Sequence, residues 1–284
     1  MSKSVLITGA GTGLGLETAV FLARKGYNVY ATVPFREQYP QVEERAKERG
    51  CTLRVLHLDV TDDSSIRKTL DTILDQAGSI DVVINNAGIS LRGYFEDCLD
   101  TEIRQVFEVN VFGAMKVTRR ALPFMRRAGT GHLIYVSSIG GLIGSMARTA
   151  YCASKFAIEG FAESLSQEVN PFGIRVSIVE PAIIATERWT INRGIARNAG
   201  NPESPYFEWF QKEEELADRL VRSSPARPIH VAETIGDLLE SRNPPLRRIV
   251  GTRAAMVAHL RRYLPGEAFE RIFFSQAVKR VTGK

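Results

Sequence analysis

The stretch SVLITGAGTGLG, residues 4–15, decides how the rest of the chain is interpreted. Its apolar start, SVLIT, is typical of a strand that is buried on both faces of a parallel sheet. Glycines at positions 9, 13 and 15 then allow a sharp turn and a close approach of the backbone to a ligand. A helix is predicted over residues 13–25, and its free N–H groups can face a phosphate. The stretch predicts a dinucleotide site at the first β-α connection, although a Gly-rich turn by itself also occurs in plain tight connections.

The spacing of these glycines separates the loop from two other phosphate-binding loops. The pattern is G-x-x-x-G-x-G rather than the G-x-G-x-x-G fingerprint. No Lys-Ser or Lys-Thr pair follows the last glycine, which excludes a nucleotide-hydrolysing P-loop.

Downstream of the glycine loop, the sequence alternates between strand-like and helix-like segments. The further strands predicted are NVYATV, TLRVLHLDV, IDVVINNAG, GHLIYVSS, IRVSIVEP and RRIV. Between them, helices are predicted near residues 43–50, 101–127, 151–169 and 230–241. Such alternation implies right-handed crossovers between parallel strands. The expected fold class is therefore α/β, a doubly wound, Rossmann-type parallel sheet of seven strands with helices on both faces.

Residues 186–226 break this alternation and lack clear strand runs. They contain several glycines and prolines and five aromatic residues, Trp189, Tyr206, Phe207, Trp209 and Phe210. A long insertion in a compact domain is usually a lid, a binding segment or disordered, and the aromatic residues argue against disorder. A helical substrate lid and a segment that simply packs on the domain both remain open. No linker or repeat divides the chain, so residues 1–284 are predicted to form one domain with a helical tail over about 253–284.

The composition is that of an ordinary globular protein, with 44% hydrophobic and 24% charged residues. The net charge of +5 comes with scattered Arg pairs and no long basic run, so nucleic acid is not an expected partner. Cys51, Cys98 and Cys152 form no CxxC pair or Cys/His cluster, and no metal site is predicted. The N-terminal apolar run is too short for a signal-peptide core or a membrane span. We expect a cytoplasmic chain with free thiols.

The segment YCASK, residues 151–155, places a tyrosine and a lysine at positions i and i+4. On a helix these positions share one face and lie about 6 Å apart along the axis. Taken alone, such a pair is more often a half-buried ring beneath a solvated amine than a catalytic acid beside a cation. An ammonium close to a phenol does, however, stabilise the phenolate and allow tyrosine to take part in proton transfer.

Six motifs together make the chain resemble the short-chain dehydrogenase/reductase family. They are TGAGTGLG (8–15), LDVT (58–61), NNAG (85–88), the Asn of EVNVFG (108–113), YVSS (135–138) and YCASK (151–155). The motifs occur in the family's order and spacing over about residues 4–186. The segment VYAT, the long lid and the tail RYLPGEAFERIFF resemble the branch that contains hydroxysteroid and retinol dehydrogenases.

The resemblance assigns the catalytic roles to Asn110, Ser138, Tyr151 and Lys155. Hydride transfer to a ketone leaves an alkoxide that needs a proton, and Tyr151 is the expected donor. Lys155 is expected to stabilise the phenolate and to hydrogen-bond the nicotinamide ribose. Ser138 is expected to bind the substrate oxygen. Asn110, at a local kink of its helix, is expected to hold a water that relays protons through Lys155.

Structural roles are also expected of small residues next to the predicted catalytic side chains. Ala153 and Ser154 are small and are expected to leave room for the cofactor's approach. Ser138 has an alternative role as a strand-end hydroxyl that bonds its own turn. We assign that structural role to its neighbour Ser137 instead.

The resemblance also predicts the cofactor contacts. In chain order they are Gly9, Thr12, Gly13, Leu14, Arg36, Asp59, Val60, Asn86, Ala87, Gly88, Tyr151, Lys155, Pro181, Ile184 and Thr186. Within this set, residues 59–60 should border the adenine, residues 86–88 the riboses, and residues 181–186 the nicotinamide. The family usually has Pro-Gly where this chain has Pro181-Ala182, which leaves the contact to the carboxamide open.

The choice between NAD and NADP depends on the end of the second strand. An acidic residue there would bind a ribose 2′-hydroxyl and repel a 2′-phosphate, and this chain has Val33. The branch's usual arginine just afterwards is Pro34, while Arg36 follows two residues later. With no carboxylate and a nearby cation, NADP is the expected cofactor and NAD the alternative.

The leading functional hypothesis is an oxidoreductase that transfers a hydride between NADP(H) and a secondary alcohol or ketone. The substrate is expected to be lipophilic and hydroxysteroid-, retinoid- or polyketide-like. Its predicted pocket consists of Ser138, Ile139, Gly140, Leu142, Ile143, Met146, Tyr151 and Trp189. A homodimer or homotetramer is expected through the helices at 101–127 and 151–169. A non-catalytic dinucleotide-sensing scaffold remains an alternative, whereas a serine hydrolase is disfavoured because the chain lacks a G-x-S-x-G elbow.

Overall fold

Seven parallel strands form the sheet of the computed structural model, which describes residues 2–186 and 194–283. The strands are β1 (Ser4–Ile7), β2 (Asn28–Val33), β3 (Arg54–His57), β4 (Val82–Asn85), β5 (Gly131–Val136), β6 (Ile174–Pro181) and β7 (Arg247–Val250). Their order is β3-β2-β1-β4-β5-β6-β7. The strand order reverses beside β1, which pairs with β2 on one side and with β4 on the other. The predicted seven-stranded, doubly wound sheet is confirmed.

Helices connect these strands and cover both faces of the sheet. They are α1 (Gly13–Arg24), α2 (Tyr39–Glu48), α3 (Asp63–Ala77), α4 (Asp100–Phe107), α5 (Ala114–Ala128), α6 (Thr149–Val169), α7 (Phe207–Ser223), α8 (Pro228–Glu240), α9 (Thr252–Tyr263) and α10 (Gly266–Thr282). Short 3₁₀ turns occur at Arg36–Gln38, Phe95–Asp97, Ile139–Gly141 and Asn170–Phe172. None of the described helices combines the length and the apolar composition that crossing a bilayer requires.

The hydrophobic core is divided by the sheet into two layers. On one face, α1 and α8 pack on the sheet through buried residues such as Leu16 and Ile235. On the other face, α3, α5 and α6 contribute residues such as Leu70, Val117 and Ile158. Because both faces are covered, central strands such as β1 and β4 are buried along their whole length, whereas the edge strands β3 and β7 are partly exposed. The carboxyl ends of β1, β4 and β5 therefore meet at one edge of a rigid scaffold, where a ligand crevice is expected.

The helix predicted over residues 101–127 is present, with an irregular turn at Asn110, where a local kink was expected. The structure has α4, a π-helical turn at Glu108–Gly113, and then α5. Two contacts explain the interruption. The side chain of Asn110 bonds the backbone of Ile89, and a Cβ at Gly113 would lie only 2.7 Å from Val60 Cγ2. A π turn admits one extra residue and lets the helix satisfy both contacts.

The third strand is shorter than the predicted TLRVLHLDV. The structure ends β3 at His57, and the chain turns away at Asp59, whose Oδ1 accepts hydrogen bonds from the backbone and hydroxyl of Thr61 at 2.8 and 2.7 Å. Asp59 therefore forms a turn beside the crevice instead of continuing the sheet.

The region predicted as a lid contains one long helix in its described part. This helix, α7, carries Phe210, which is buried with Leu91 of the β4–α4 connection and Val106 of α4. The ion pair between Arg92 Nη1 and Glu214 Oε1, at 2.9 Å, is buried in the same contact. The helical tail expected over about 253–284 is present as α9 and α10.

Candidate active site

The glycine loop is held against the end of β4 by hydrogen bonds from both sides. Asn86 Nδ2 donates to the carbonyls of Thr8 and Gly9, both at 2.9 Å. The Thr8 hydroxyl accepts from the backbone N–H groups of Asn86 and Ala87 at 3.1 and 3.0 Å. Gly9 has φ +66, and a Cβ there would lie 2.8 Å from Ala87 Cα. Both the backbone angle and the close approach therefore require glycine at this position.

A cavity of about 1130 Å³ opens beside this loop. Of the predicted cofactor residues, six line it: Gly9, Thr12, Asp59, Val60, Ala87 and Gly88. The other lining residues include Gly11, Gln38, Ile89 and Arg104. The other nine predicted contacts are not part of its lining: Gly13, Leu14, Arg36, Asn86, Tyr151, Lys155, Pro181, Ile184 and Thr186. Thr186 nevertheless lies close to the loop, because a Cβ at Gly13 would be 3.6 Å from Thr186 Cβ.

The arrangement fits a bound dinucleotide. The loop is too close to Ala87 for any side chain at Gly9, so its backbone lines the cavity directly. The N-terminus of α1 follows at Gly13 and offers unpaired N–H groups to a phosphate. Gln38 Oε1 is buried at this cavity and has no hydrogen-bond partner among the described residues, as expected of a group that meets a polar ligand.

Ser138 and Tyr151 flank one position at the end of β5. The ideal Cβ position of Gly140 lies 3.5 Å from Ser138 Oγ and 3.4 Å from Tyr151 Cε1. Ser138 Oγ accepts a hydrogen bond from the backbone N–H of Gly140 at 3.1 Å. Ser138, not Ser137, therefore bonds its own turn, and our assignment of that role to Ser137 is wrong. The bond uses a lone pair of Ser138, so its hydroxyl proton remains available to a substrate oxygen.

Lys155 is buried behind Tyr151 on the same face of α6. Its Nζ lies 5.8 Å from the centroid of the Tyr151 ring and donates to the carbonyl of Val136 at 2.8 Å. Only 5% of Lys155 is exposed. This carbonyl holds the ammonium at the end of β5, so the interpretation of Lys155 as a solvated helix-face lysine does not apply.

Asn110 is fixed by three hydrogen bonds in the π turn. Its Oδ1 accepts from the Ile89 backbone N–H at 2.7 Å, and its Nδ2 donates to the Ile89 carbonyl at 2.9 Å. Nδ2 also donates to Ser154 Oγ at 3.0 Å. Asn110 thereby ties the exit of β4 to α6. The water relay that the resemblance assigns to Asn110 stays a prediction.

Ser154 has a different role from the one expected. It is fully buried and its hydroxyl donates to the carbonyl of Tyr151 at 2.7 Å while accepting from Asn110. It therefore links α6 to Asn110 and does not provide space for a cofactor. No sequence signal distinguishes it from a small spacer, because its partner is 44 residues away along the chain.

The end of β2 differs from the expected arrangement. Val33 is completely buried in the core, so its side chain does not face the cavity. Arg36 is exposed on the short turn that follows and is not among the cavity-lining residues. Gln38, two residues on, packs over the glycine loop, and a Cβ at Gly11 would lie 3.1 Å from its Nε2. Sequence reasoning missed Gln38 because this contact depends on the path of the 3₁₀ turn.

The predicted substrate residues lie in the connection between β5 and α6. Ile143 is buried and Gly140 is packed against Tyr151, while Ile139, Leu142 and Met146 are half-buried. None of them lines the large cavity, and their contact with a substrate stays a prediction. Trp189 lies outside the described residues.

A pair of buried carboxylates lies between α6 and β6. Glu159, on α6, and Glu180, on β6, are 5% and 1% exposed. Arg247 Nε lies 3.0 Å from Glu159 Oε2 and 3.5 Å from Glu180 Oε1, and the same guanidinium bonds Glu163. Burial, together with the charge of Glu159, raises the pKa of Glu180 to about 7 against the opposing effect of Arg247. Burial also raises the pKa of Glu159.

Glu180→Gln should make folding stability less dependent on pH. Between pH values of about 4.5 and about 7, the native protein keeps the Glu180 proton that the unfolded chain has lost. The free energy of unfolding therefore falls as pH rises through this range. The variant should be more stable than wild type above that range, by an amount on the order of 2 kcal/mol. Urea unfolding at several pH values measures this, with Glu168→Gln, an exposed glutamate of α6, as control. Identical pH profiles for wild type and Glu180→Gln would contradict it.

Comparison with known proteins decides the family. The sequence profile described as "short chain dehydrogenase" matches residues 3–193. The chain belongs to this family. The matched range contains the glycine loop, Asn110, Ser138, Tyr151 and Lys155. Membership makes the protein an oxidoreductase that acts on CH–OH groups, as the sequence analysis predicted.

Curated relatives place this short chain dehydrogenase near the predicted branch. It is 34% identical to 3-ketodihydrosphingosine reductase of Bacteroides thetaiotaomicron over 95% of this chain and 97% of that protein. It is 37% identical to bovine retinol dehydrogenase 8, over 88% of this chain and 82% of the relative. Identity to human 17-beta-hydroxysteroid dehydrogenase type 1 is 32%, over 90% and 80% of the two chains. The resemblance to hydroxysteroid and retinol dehydrogenases is confirmed.

Solved structures share the fold over nearly the whole chain. A short-chain dehydrogenase from Streptomyces avermitilis superposes with a TM-score of 0.79 at 32% identity, covering 98% of both chains. A short chain dehydrogenase/reductase from Burkholderia phymatum, in complex with NAD, gives a TM-score of 0.80 at 22% identity over 92% and 93% of the chains. The second likeness shows the fold alone.

Proposed function

We propose that this short chain dehydrogenase interconverts a secondary alcohol and a ketone of a lipophilic small molecule, with NADP(H) as cofactor. The observation that carries the proposal is that Ser138 Oγ and the Tyr151 ring both lie beside Gly140, with the buried ammonium of Lys155 behind that ring. At the same edge of the sheet, the end of β1 leads into a glycine loop with the form of a dinucleotide site. The nicotinamide cofactor, when bound, supplies or accepts the hydride.

The side chains provide what a carbonyl reduction requires at its oxygen. Ser138 donates a hydrogen bond to the carbonyl oxygen and stabilises the negative charge that develops there. Tyr151 delivers its phenolic proton to the same oxygen as the carbonyl carbon accepts the hydride. The proton leaves a phenolate, which the nearby ammonium of Lys155 stabilises. The oxidation of an alcohol uses these steps in reverse, with Tyr151 as the base.

Rigid positioning is the second contribution of the chain. Lys155 is held by the Val136 carbonyl, and α6 is tied to the exit of β4 through Ser154, Asn110 and Ile89. These bonds join elements far apart in sequence, so the acid and the hydroxyl keep their spacing when a substrate arrives. Preformed geometry of this kind lowers the barrier because less reorganisation accompanies the reaction.

The lipophilic substrate class is supported by the residues around Ser138 and by the described part of the lid. Ile139, Leu142 and Met146 are half-buried in the connection that carries Ser138. In the lid, Tyr206 stacks on Tyr94 of the β4–α4 connection, with ring centroids 4.6 Å apart. The names of three relatives specify a ketosphingoid base, retinol and a 17-beta-hydroxysteroid, which are all largely apolar.

A carbonyl panel tests this proposal. Purified protein is mixed with NADPH or NADH and with steroid, retinoid, long-chain and short polar carbonyl compounds, and cofactor oxidation is followed. We expect oxidation with at least one apolar carbonyl and little with the short polar compounds. Cofactor binding without oxidation across the panel would favour the dinucleotide-sensing scaffold instead.

The preference for NADP(H) is supported by the residues around the glycine loop. The cavity wall after β2 consists of Pro34, Phe35 and Gln38, so the residues of this segment that line the cavity include no carboxylate that would repel a 2′-phosphate. Arg36 is exposed on the same turn, and a guanidinium fork suits a phosphate. Val33 is excluded from cofactor recognition because it is buried, and a Val33→Asp substitution would place a carboxylate in the core.

Arg36→Ala should weaken NADP binding more than NAD binding, by roughly 1–2 kcal/mol for a partly exposed charge-assisted contact. Gln38→Ala should weaken both cofactors alike, because a neutral amide over Gly11 bonds a ribose as well as a phosphate. Arg49→Ala, an exposed arginine at the end of α2, is the matched control. Equilibrium titration of each cofactor, followed by tryptophan fluorescence, measures the affinities. Tighter binding of NAD than of NADP by wild type would show that the assignment is wrong.

We also propose a homodimer or homotetramer that uses α4–α5 and α6. Phe112, in the π turn, is 48% exposed and Phe156, on α6, is 40% exposed. Large apolar side chains on these two neighbouring elements fit an interface between copies of the chain. Light scattering of the purified protein measures the assembly state.

A further inference from the structure

Helix α9 carries a row of large apolar side chains on its solvent side. Met256, Leu260 and Tyr263 are 59%, 46% and 74% exposed, and Leu264, just after the helix, is 39% exposed. The first three follow the spacing i, i+4, i+7 and so form one stripe along the helix. We call these four residues the α9 stripe. Isolated exposed apolar residues are common, but a contiguous stripe on one helix marks an interaction surface.

The orientation of α9 is set by the opposite side of the helix. Arg261 extends over two aromatic rings, with its Cζ 5.9 Å from the centroid of Phe156 on α6 and 6.0 Å from that of Phe269 on α10. At about 100° per residue, the stripe residues within α9 lie about 100–160° around the helix from Arg261. Packing against the rest of the protein therefore turns the stripe outward.

The charge of the same region indicates which partner fits the stripe. Residues 252–284 contain seven Lys or Arg and two Glu, an excess equal to the net charge of the whole chain, +5. The exposed members include Arg262, Arg271, Lys279 and Arg280. An apolar stripe on a basic helical segment is attracted to anionic lipid headgroups and can insert its apolar side chains among them. Two copies of this positive surface would repel each other, which disfavours a second copy of the chain as the occupant.

We propose that α9 and α10 dock the protein on the surface of an anionic bilayer, with the α9 stripe in the headgroup region and the basic side chains against the phosphates. This inference deepens the proposed function and rests on it. A lipophilic ketone partitions into membranes, so a protein docked on a membrane would meet its substrate there. A cytoplasmic location, which we also propose, fits this docking because the cytoplasmic leaflet is the negatively charged one. The contact is peripheral, since none of the described helices can cross a bilayer.

Vesicle co-sedimentation tests the docking. Full-length protein, without cofactor or substrate, is mixed with vesicles of phosphatidylcholine alone or of equal parts phosphatidylcholine and phosphatidylserine. We expect wild type to sediment with the anionic vesicles, weakly with the neutral ones, and less as salt is added. Because no turnover is involved, failure of the proposed reaction would leave this result unaffected.

Two sets of variants separate the apolar contribution from the charge. Leu260→Ser combined with Tyr263→Ser should lower the bound fraction at least tenfold, and Arg262→Glu combined with Lys279→Glu should do the same. Phe172→Ser, which removes an aromatic residue of 48% exposure outside α9 and α10, is the matched control and should bind like wild type. All substituted positions are exposed, so unchanged circular dichroism and thermal unfolding are expected of each variant.

Three results would overturn the proposal. Wild type could stay in solution with anionic vesicles, or the Leu260→Ser, Tyr263→Ser variant could bind them as wild type does. Wild type could also form a concentration-dependent oligomer that this variant loses, since the stripe would then be an interface between copies of the chain.

Discussion

Tyr151→Phe should reduce turnover by about a hundred- to ten-thousand-fold while leaving the fold and cofactor binding nearly intact. The substitution removes only the phenolic hydroxyl, which in our account protonates the substrate oxygen. The ring remains in place beside Gly140 and Lys155, so the packing at the start of α6 is preserved. Steady-state rates with a working ketone measure the loss, and fluorescence titration measures cofactor affinity.

The control for this variant is another tyrosine that loses its hydroxyl. Tyr206→Phe removes the hydrogen bond to Glu96 Oε2 at the protein surface and should leave the rate nearly unchanged. If Tyr151→Phe retained a kcat close to that of wild type, Tyr151 would not be the acid.

Lys155→Ala should lower kcat by about a hundredfold or more and also weaken cofactor binding. The variant loses the ammonium behind Tyr151, and with it the charge that stabilises the phenolate. It also loses the donor to the Val136 carbonyl, which should cost roughly 1–3 kcal/mol of stability because that carbonyl is buried. Activity must therefore be expressed per folded molecule.

The matched control is a lysine of similar length that contacts a backbone carbonyl elsewhere. Lys116 donates to the Thr61 carbonyl at 3.0 Å, and Lys116→Ala should change stability with little effect on kcat. A Lys155→Ala variant that is destabilised but fully active per folded molecule would show that Lys155 is structural.

The parts of the fold that the sequence predicted are those set by local pattern. Apolar runs bounded by Gly turns predicted the seven strands, because a strand buried on both faces needs an unbroken apolar segment. The glycine loop was predictable from its spaced glycines, because the turn requires them. Gly9, for example, has φ +66 and lies too close to Ala87 for a side chain. The position of Tyr151 and Lys155 on one helix face follows from helical spacing alone.

The parts that were missed depend on contacts between distant segments. A kink was expected at Asn110, but its π-helical form results from bonds to Ile89 and from the approach of Gly113 to Val60, neither of which has a local signal. The burial of Val33 and the position of Gln38 over Gly11 depend on where β2 ends and how the following 3₁₀ turn is directed. If β2 ended one residue earlier or later, a side chain that now lies in the core would face the cavity instead.

The α9 stripe was missed for a different reason. Residues 252–264 have the periodicity of an ordinary amphipathic helix, and such a helix normally buries its apolar side. Only the packing of Arg261 between Phe156 and Phe269 shows that the apolar residues face outward. Exposure of a stripe is a property of the whole fold and has no counterpart in the sequence pattern.

Transfer of deuterium tests the central claim, which is that this chain moves a hydride onto a carbonyl carbon and a proton from Tyr151 onto its oxygen. NADPH that carries deuterium at the transferable position of the nicotinamide is incubated with the enzyme and a ketone active in the panel. Mass spectrometry should find one carbon-bound deuterium per molecule of alcohol from wild type and almost no alcohol from Tyr151→Phe. An alcohol without the label, or equal labelled product from both proteins, would contradict the account.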